Sequence, residues 1–188
     1  SLSEKDKVVL SVGLFFERRG LPDFVEVARR LPQYKFIWFG STPLISIPKT
    51  IREIVEEDHP DNVLFPGYVK GAIIEGAYAG ANAFFFPSYG ETQGIVVLEA
   101  LAAGQQVIVR DIGAFDPWLV DRVNCYKGHN NDEFAHLVEE VVEKQLPSLS
   151  EEALKTAQQR SIANIGQQLK AIYESVLNGK DRTLSGLG

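Results

Sequence analysis

What constrains this chain most is an alternation. Short, continuous apolar runs are separated by segments whose apolar residues recur at helical spacing. Strands are expected at Lys7–Val12, Lys35–Phe39, Asn62–Phe65, Ala83–Phe86 and Gln106–Val109, with a brief sixth near Asn124–Tyr126. Helices are expected at Leu21–Leu31, Pro48–Glu57, Ala72–Ala79, Gln93–Ala103, Ala114–Leu119, Asp132–Lys144 and Glu151–Leu177, the last with a break near Ile162–Gly166. Runs that are apolar throughout, rather than at every second position, belong to strands covered on both faces. Strands alternating with helices make βαβ units. The expected fold class is therefore α/β: a doubly wound, Rossmann-like, mainly parallel sheet with helices on both faces. In such sheets ligands sit outside the carboxyl ends of the strands, near the point where strand order reverses. The loops that follow strands at Gly13, Gly40, Gly67 and Pro87 should converge on that edge.

Composition narrows the class. A chain of 188 residues fits one large domain and can bury roughly 70% of its unfolded surface. A net charge of -6 argues against a nucleic-acid partner, which wants a basic face, while leaving room for a small basic pocket. Cys125 is the one cysteine, so no internal disulfide can form, and it reads as a small buried side chain. A reducing cytoplasm is expected. The longest apolar stretch, near Gly76–Pro87, is too short and too interrupted to cross a bilayer. The chain has no methionine. Residues 1–6 read as a tag or linker remnant, 7–178 as the folded domain and 179–188 as a flexible tail, all cut from something longer.

The most informative local pattern is a pair of glutamates eight positions apart, Glu91 and Glu99, in the stretch Ser88–Gly104. Glu91 falls in a glycine-flanked loop after a strand, and Glu99 on the following helix. At about 1.5 Å per residue, eight helical positions span roughly 12 Å, the size of a nucleotide-sugar from hexose to ribose. Gly90 and Gly94 permit a ligand to approach the backbone closely. Thr92 reads as the N-cap, leaving the amides of Gln93, Gly94 and Ile95 onward aimed at an anion. Glu91 suits sugar hydroxyls rather than phosphate, and Glu99 suits a ribose diol, with an exposed helix residue as the alternative. Arg18 and Arg19, between the first strand and the first helix, could pair with a diphosphate. Taken alone, that loop reads more simply as a solvated turn.

Other residues carry less. There is no Gly-x-Gly-x-x-Gly and no Walker motif. His59, His129 and His136 lack the spacing of a metal site, and none is assigned a catalytic role. His59 reads as a turn residue and His136 as part of a solvated face. Phe84–Phe86, Phe36, Trp38 and Phe39 read as core.

Taken together, these residues resemble the C-terminal domain of group 1 (family 4) retaining glycosyltransferases, one half of the GT-B architecture. The parts fall in the family's order: Val12-Gly13 and the arginine loop, Phe39-Gly40, Asn62–Val69, Ala83–Ser88, then Glu91 and Glu99 in an E-x7-E motif. The likeness spans about residues 7–178. Within the family, Phe36–Gly40 and Ile165–Tyr173 are most similar to diacylglycerol glucosyltransferases of Gram-positive bacteria. The resemblance implies a UDP-sugar donor, with Glu91 at the hexose and Glu99 at the ribose. Gln93, Gly94 and Ile95 would face hexose and phosphates, Arg18 and Arg19 the diphosphate, and Val69 and Lys70 the base. Gly13 and Gly40 would border the donor, and Thr92 the hexose end. Glu91 and Arg19 would carry catalysis, with no metal and no cofactor. It also implies an N-terminal acceptor-binding domain absent here, and a cytoplasmic enzyme that works at the inner face of the membrane. Two departures stand out: Leu14 lies where the family often has arginine, and Gln93 where it often has an aromatic residue. The alternative is a non-catalytic nucleotide-sugar-binding or interaction domain of the same fold.

Overall fold

The computed structural model describes residues 3–177. The expected tail at 179–188 lies outside the described residues. Six strands form one parallel sheet: β1 (Val8–Val12), β2 (Lys35–Phe39), β3 (Val63–Gly67), β4 (Ala83–Phe86), β5 (Val107–Arg110) and β6 (Tyr126–Gly128). Their order across the sheet is β3-β2-β1-β4-β5-β6, and every pairing is parallel. The helices are α1 (Leu21–Arg30), α2 (Lys49–Glu56), α3 (Ala72–Gly80), α4 (Ile95–Ala102), α5 (Asn131–Val142), α6 (Ser150–Gln159) and α7 (Ile162–Leu177). This is the doubly wound Rossmann-like fold that the alternation implies.

Successive strand residues point to opposite faces, and two cores result. Val9, Phe36, Trp38 and Phe85 pack with α1, α2 and α5 on one face. Leu10, Phe84, Phe86 and Val109 pack with α3, α4 and α6 on the other. The run Phe84–Phe86 is fully buried on both sides, which explains why no polar residue interrupts it. Each such phenylalanine contributes about 1.5–3 kcal/mol by leaving water.

Most element ends fall within one or two residues of expectation, and five differences have a local reason. β3 runs on through Pro66 to Gly67 instead of closing there. It is an edge strand, where a missing N–H costs no ladder bond, and its register against β2 shifts between Ile37 and Phe39. α4 starts at Ile95, not Gln93, because Gly94 takes a left-handed φ of 65°. Thr92 is thus not the N-cap. The short helix expected over Ala114–Leu119 is a single turn, Gly113–Phe115, since Pro117 brings no N–H to extend it. β6 begins after Asn124, whose side chain is spent on the preceding turn: its amide oxygen accepts from the Val120 N–H at 2.8 Å and its NH₂ donates to the Trp118 carbonyl at 2.8 Å. The expected break in the last helix falls at Arg160-Ser161, where the Ser161 hydroxyl accepts from the Asn164 N–H.

Candidate functional site

Strand order reverses between β1 and β4, so the loops leaving those two strands open the crevice where doubly wound sheets bind ligands. The two loops are locked together. The Tyr89 N–H donates to the Arg18 carbonyl at 2.8 Å, and the Ser88 hydroxyl reaches the same carbonyl at 3.2 Å. Gly20 sits at φ 76°, and a Cβ there would fall 2.3 Å from the Pro87 carbonyl oxygen. Only glycine allows this contact of backbone on backbone. The next loops along the edge join in: the Gly13 N–H donates to the Phe39 carbonyl and the Gly40 N–H to the Gly67 carbonyl, both at 2.9 Å. The convergence expected at Gly13, Gly40, Gly67 and Pro87 is what the structure shows.

A cleft of about 230 Å³ lies at the switch point, lined by Val12, Gly13, Leu14 and Arg19 on one side and by residues 91–96 on the other. Glu91 is almost fully buried, with 4% of its side chain exposed, and is ion-paired with Arg19. It also accepts from the Ser88 hydroxyl at 2.9 Å. Burial, and then the neighbouring charge of Arg18, push the Arg19 guanidinium below its ordinary range. Its Nε has no hydrogen-bond partner among the described residues. The first amides of α4, from Gly94 to Val96, likewise lack backbone partners, as the first turn of any helix must. The cleft therefore offers one cation, a row of outward-facing amides and one buried carboxylate.

The two arginines face different spaces. Arg18 is exposed and lines a separate cavity of about 680 Å³ with Asp23, Glu26, Arg29 and Tyr89. Arg19 alone lines the cleft, and Leu14, half-exposed, stands on its wall. Glu99, two turns along the helix reading, lies on the exposed side of α4 and accepts from the Tyr78 phenol at 2.9 Å. Burial and the charge of Glu99 push that phenol well above its ordinary range. The helical ruler of roughly 12 Å does not span the pair, because only the part from Ile95 to Glu99 is helical. Val69 packs on the second core and Lys70 is exposed beyond β3. Neither lines the cleft. Thr92, Gln93 and Ile95 face both the cleft and a wider cavity of about 760 Å³ toward Trp118 and α7. That larger cavity is walled mainly by apolar residues, and its charges are engaged elsewhere, Asp116 by Lys127 at 3.0 Å and Arg160 over the Trp118 ring, so the smaller cleft at the switch point is the candidate site.

Sequence reasoning missed Tyr78, Ser88 and Arg110 as supports. Arg110 gave a readable signal: a charge closing the apolar run Val107–Val109 has to find partners. Cys125 is buried, with its thiol pushed up to about 12 by burial. His59 sits in a turn with Nδ1 2.8 Å from the Ile54 carbonyl oxygen, and His136 is exposed beside Glu140. Among the described residues no helix is long and apolar enough to cross a membrane.

Known proteins share this fold. The family model for glycosyl transferases group 1 matches residues 1–160. A processive diacylglycerol alpha-glucosyltransferase from Acholeplasma laidlawii is 46% identical over 179 residues, which cover 95% of this chain and 54% of that one. An alpha-galactosylglucosyldiacylglycerol synthase from Streptococcus pneumoniae is 27% identical, covering 92% of this chain and 47% of its own. The chain thus spans about half the length of the curated relatives it matches. Among solved structures, the Anabaena protein HepE in complex with UDP-glucose superposes with a TM-score of 0.77 at 20% identity, over 91% of this chain and 49% of that one. A sucrose-phosphate synthase from Thermosynechococcus elongatus reaches 0.82 at 24%, over 95% and 47%. The fold is that of one half of a GT-B enzyme, and the chain belongs to the group 1 glycosyl transferases.

Proposed function

We propose that this chain is the donor-binding half of a retaining hexosyltransferase that uses a UDP-sugar, with glucose as the hexose and a diacylglycerol-type lipid as acceptor. The observation that carries the reading is the convergence of Arg19, Glu91 and the free amides of α4 on one cleft at the β1/β4 switch point. The names of the Acholeplasma and pneumococcal relatives support a glycolipid product, and the complexed HepE structure supports a uridine nucleotide.

Departure of the nucleoside diphosphate builds negative charge. Arg19 and the N-terminus of α4 would stabilise it, which makes this electrostatic catalysis without a metal or cofactor. Glu91 would hold hexose hydroxyls and favour positive charge at the anomeric carbon. Glu99, held by Tyr78, would accept from the ribose diol. Gly13 and Gly40 would border the donor, Gly40 by holding its backbone against the Gly13 carbonyl, where a Cβ would fall 2.0 Å from the oxygen. Gln93, Gly94 and Ile95 would face the donor, and Thr92 would border its hexose. Val69 and Lys70 would lie toward the base. Arg18, which faces the other cavity in this structure, would turn to serve as the second cation. Acceptor binding would belong to a partner domain, and the whole enzyme would act from the cytoplasmic side of a membrane. Leu14 on the cleft wall favours a second reading, a domain that binds nucleotide-sugars without turning them over.

Calorimetry with UDP, UDP-glucose, UDP-galactose and GDP-mannose tests the donor assignment. UDP-glucose and UDP should bind, and Glu99→Ala should weaken both by about tenfold or more, as expected for a hydrogen bond to a charged group. Absence of binding to every nucleotide would sink the donor reading. Unchanged binding in Glu99→Ala would sink the ribose role. Turnover by the chain joined to an acceptor domain, lost in Glu91→Ala, would separate the enzyme from the mere binder.

A further inference from the structure

Arg110 closes β5 and is buried, with 7% of the residue exposed. Nothing in the E-x7-E reading uses it. Its guanidinium is nonetheless committed to the segment that carries Glu91. Nε donates to the Pro87 carbonyl at 3.1 Å and Nη1 to the His129 carbonyl at 2.7 Å. Nη2 lies 3.3 Å from the Asp23 carboxylate on α1. The guanidinium plane is flanked by two rings, with its central carbon 3.8 Å from the Tyr89 centroid and 4.9 Å from that of Phe134. Tyr89 and Pro87 bracket Ser88, whose hydroxyl donates to Glu91. The cation thus holds the loop from below through a carbonyl and from outside through a ring, while α1 and α5 hold the cation.

We propose that Arg110 is a positioning residue for Glu91, setting where the hexose-facing carboxylate stands at the switch point. A rigid fork and a planar, stackable cation are what this position demands, and lysine offers neither. A buried charge left without such partners would be costly, so the arrangement is over-determined: moving the loop would strand the guanidinium. The role rests on the reading that Glu91 contacts the sugar. It goes beyond that reading in assigning the control of loop geometry to a residue on another strand, outside the cleft.

The assignment makes a differential prediction. UDP alone does not reach Glu91, whereas UDP-glucose does. Arg110→Lys, which keeps the charge, should weaken UDP-glucose about tenfold and UDP by less than about twofold, since a sub-ångström misplacement of one contact is enough for such a loss. Tyr89→Leu is the second variant, because Tyr89 is half-exposed and leucine removes the stacked ring while keeping an apolar side chain over Arg110. A denaturant midpoint close to that of the unmodified chain checks that the fold is kept. It should reproduce the same split at smaller amplitude. In a Glu91→Ala background both substitutions should lose their effect on UDP-glucose, the non-additivity expected of residues acting through one another. Equal weakening of UDP and UDP-glucose would make Arg110 merely structural, as would full additivity with Glu91→Ala, and either result overturns the proposal. Failure of the unmodified chain to bind either nucleotide would instead overturn the donor reading on which it stands.

Discussion

The two glutamates of the E-x7-E pair are built in opposite ways, and only Glu91 lines the cleft. Glu91 is buried, ion-paired with Arg19 and bonded to Ser88, on a loop held by the loop after β1 and by Arg110 of β5. Glu99 is exposed on a short helix, with one phenol beside it. The first is preorganised, with Arg19 and Ser88 both on its Oε1, and a ligand must compete for Arg19. The second is open to solvent, and its position depends on α4 and on the Tyr78 phenol. Burial therefore separates a carboxylate whose loss should disturb the fold from one whose loss should leave the fold intact.

The largest expected effect breaks the first end only. Gly20→Ala would force a methyl against the Pro87 carbonyl oxygen, 2.3 Å away, at a left-handed φ. It should destabilise the chain by ~3 kcal/mol or more, combining backbone strain with overpacking. Gly76→Ala on α3, near the Glu99 end, meets nothing within 4 Å and should be neutral or stabilising by about 0.5–1 kcal/mol. Denaturant midpoints measure both. A loss below about 1 kcal/mol for Gly20→Ala, within the range of ordinary substitutions, would mean that the two loops are not locked backbone to backbone.

The ion pair comes next. Arg19→Ala leaves Glu91 buried without its cation. Breaking such a pair is costly chiefly because of the stranded charge. With Arg19 still partly exposed, at 23% of its side chain, a loss of about 2 kcal/mol is expected. The same substitution in a Glu91→Gln background should cost about half as much, since a neutral amide tolerates burial better. Equal costs in both backgrounds would show that Glu91 is not held as a charge. The comparison with Glu99 would then collapse.

This contrast also marks how far the sequence could be read. The sheet was legible because Val8–Val12, Lys35–Phe39 and Ala83–Phe86 are apolar on both faces, which only a covered strand requires. The position of Glu91 at the switch point followed from its place after β4. Its burial did not follow, because that depends on the closeness of Gly20 to Pro87, two residues far apart in sequence. The divergence of Arg18 and Arg19 was hidden for a similar reason. Neighbours in a tight turn point apart, and a basic pair read as letters looks like a clamp. Thr92 looked like an N-cap by residue type, but the left-handed Gly94 moved the helix start past it. Tyr78 could not be paired with Glu99 without knowing that α3 and α4 lie on the same face of the sheet.

The smallest effect comes from a third carboxylate cluster, where His129 and the carboxylates beside it are exposed. His129 at the end of β6 has Nδ1 2.9 Å from Glu133 and Nε2 3.5 Å from Asp111, and Lys127 also pairs with Asp111. The hydrogen bond and charge of Glu133, then the charge of Asp111, hold the imidazole above its ordinary value of 6.5. A raised folded-state value fixes the sign. The protonated ring's contribution to stability is fully present below the ordinary histidine range and is lost as pH rises through the raised value. Stability measured from about pH 5 to about pH 8 should therefore show a shallow decline, above the range where carboxylates titrate. It should flatten in high salt, which screens exposed pairs, and the His129 component should vanish in His129→Gln. A slope that survives that substitution would belong to other groups. A steep slope that resists salt would mean that exposed pairs here behave like the buried Glu91–Arg19 pair, and burial would no longer be what divides the two glutamates.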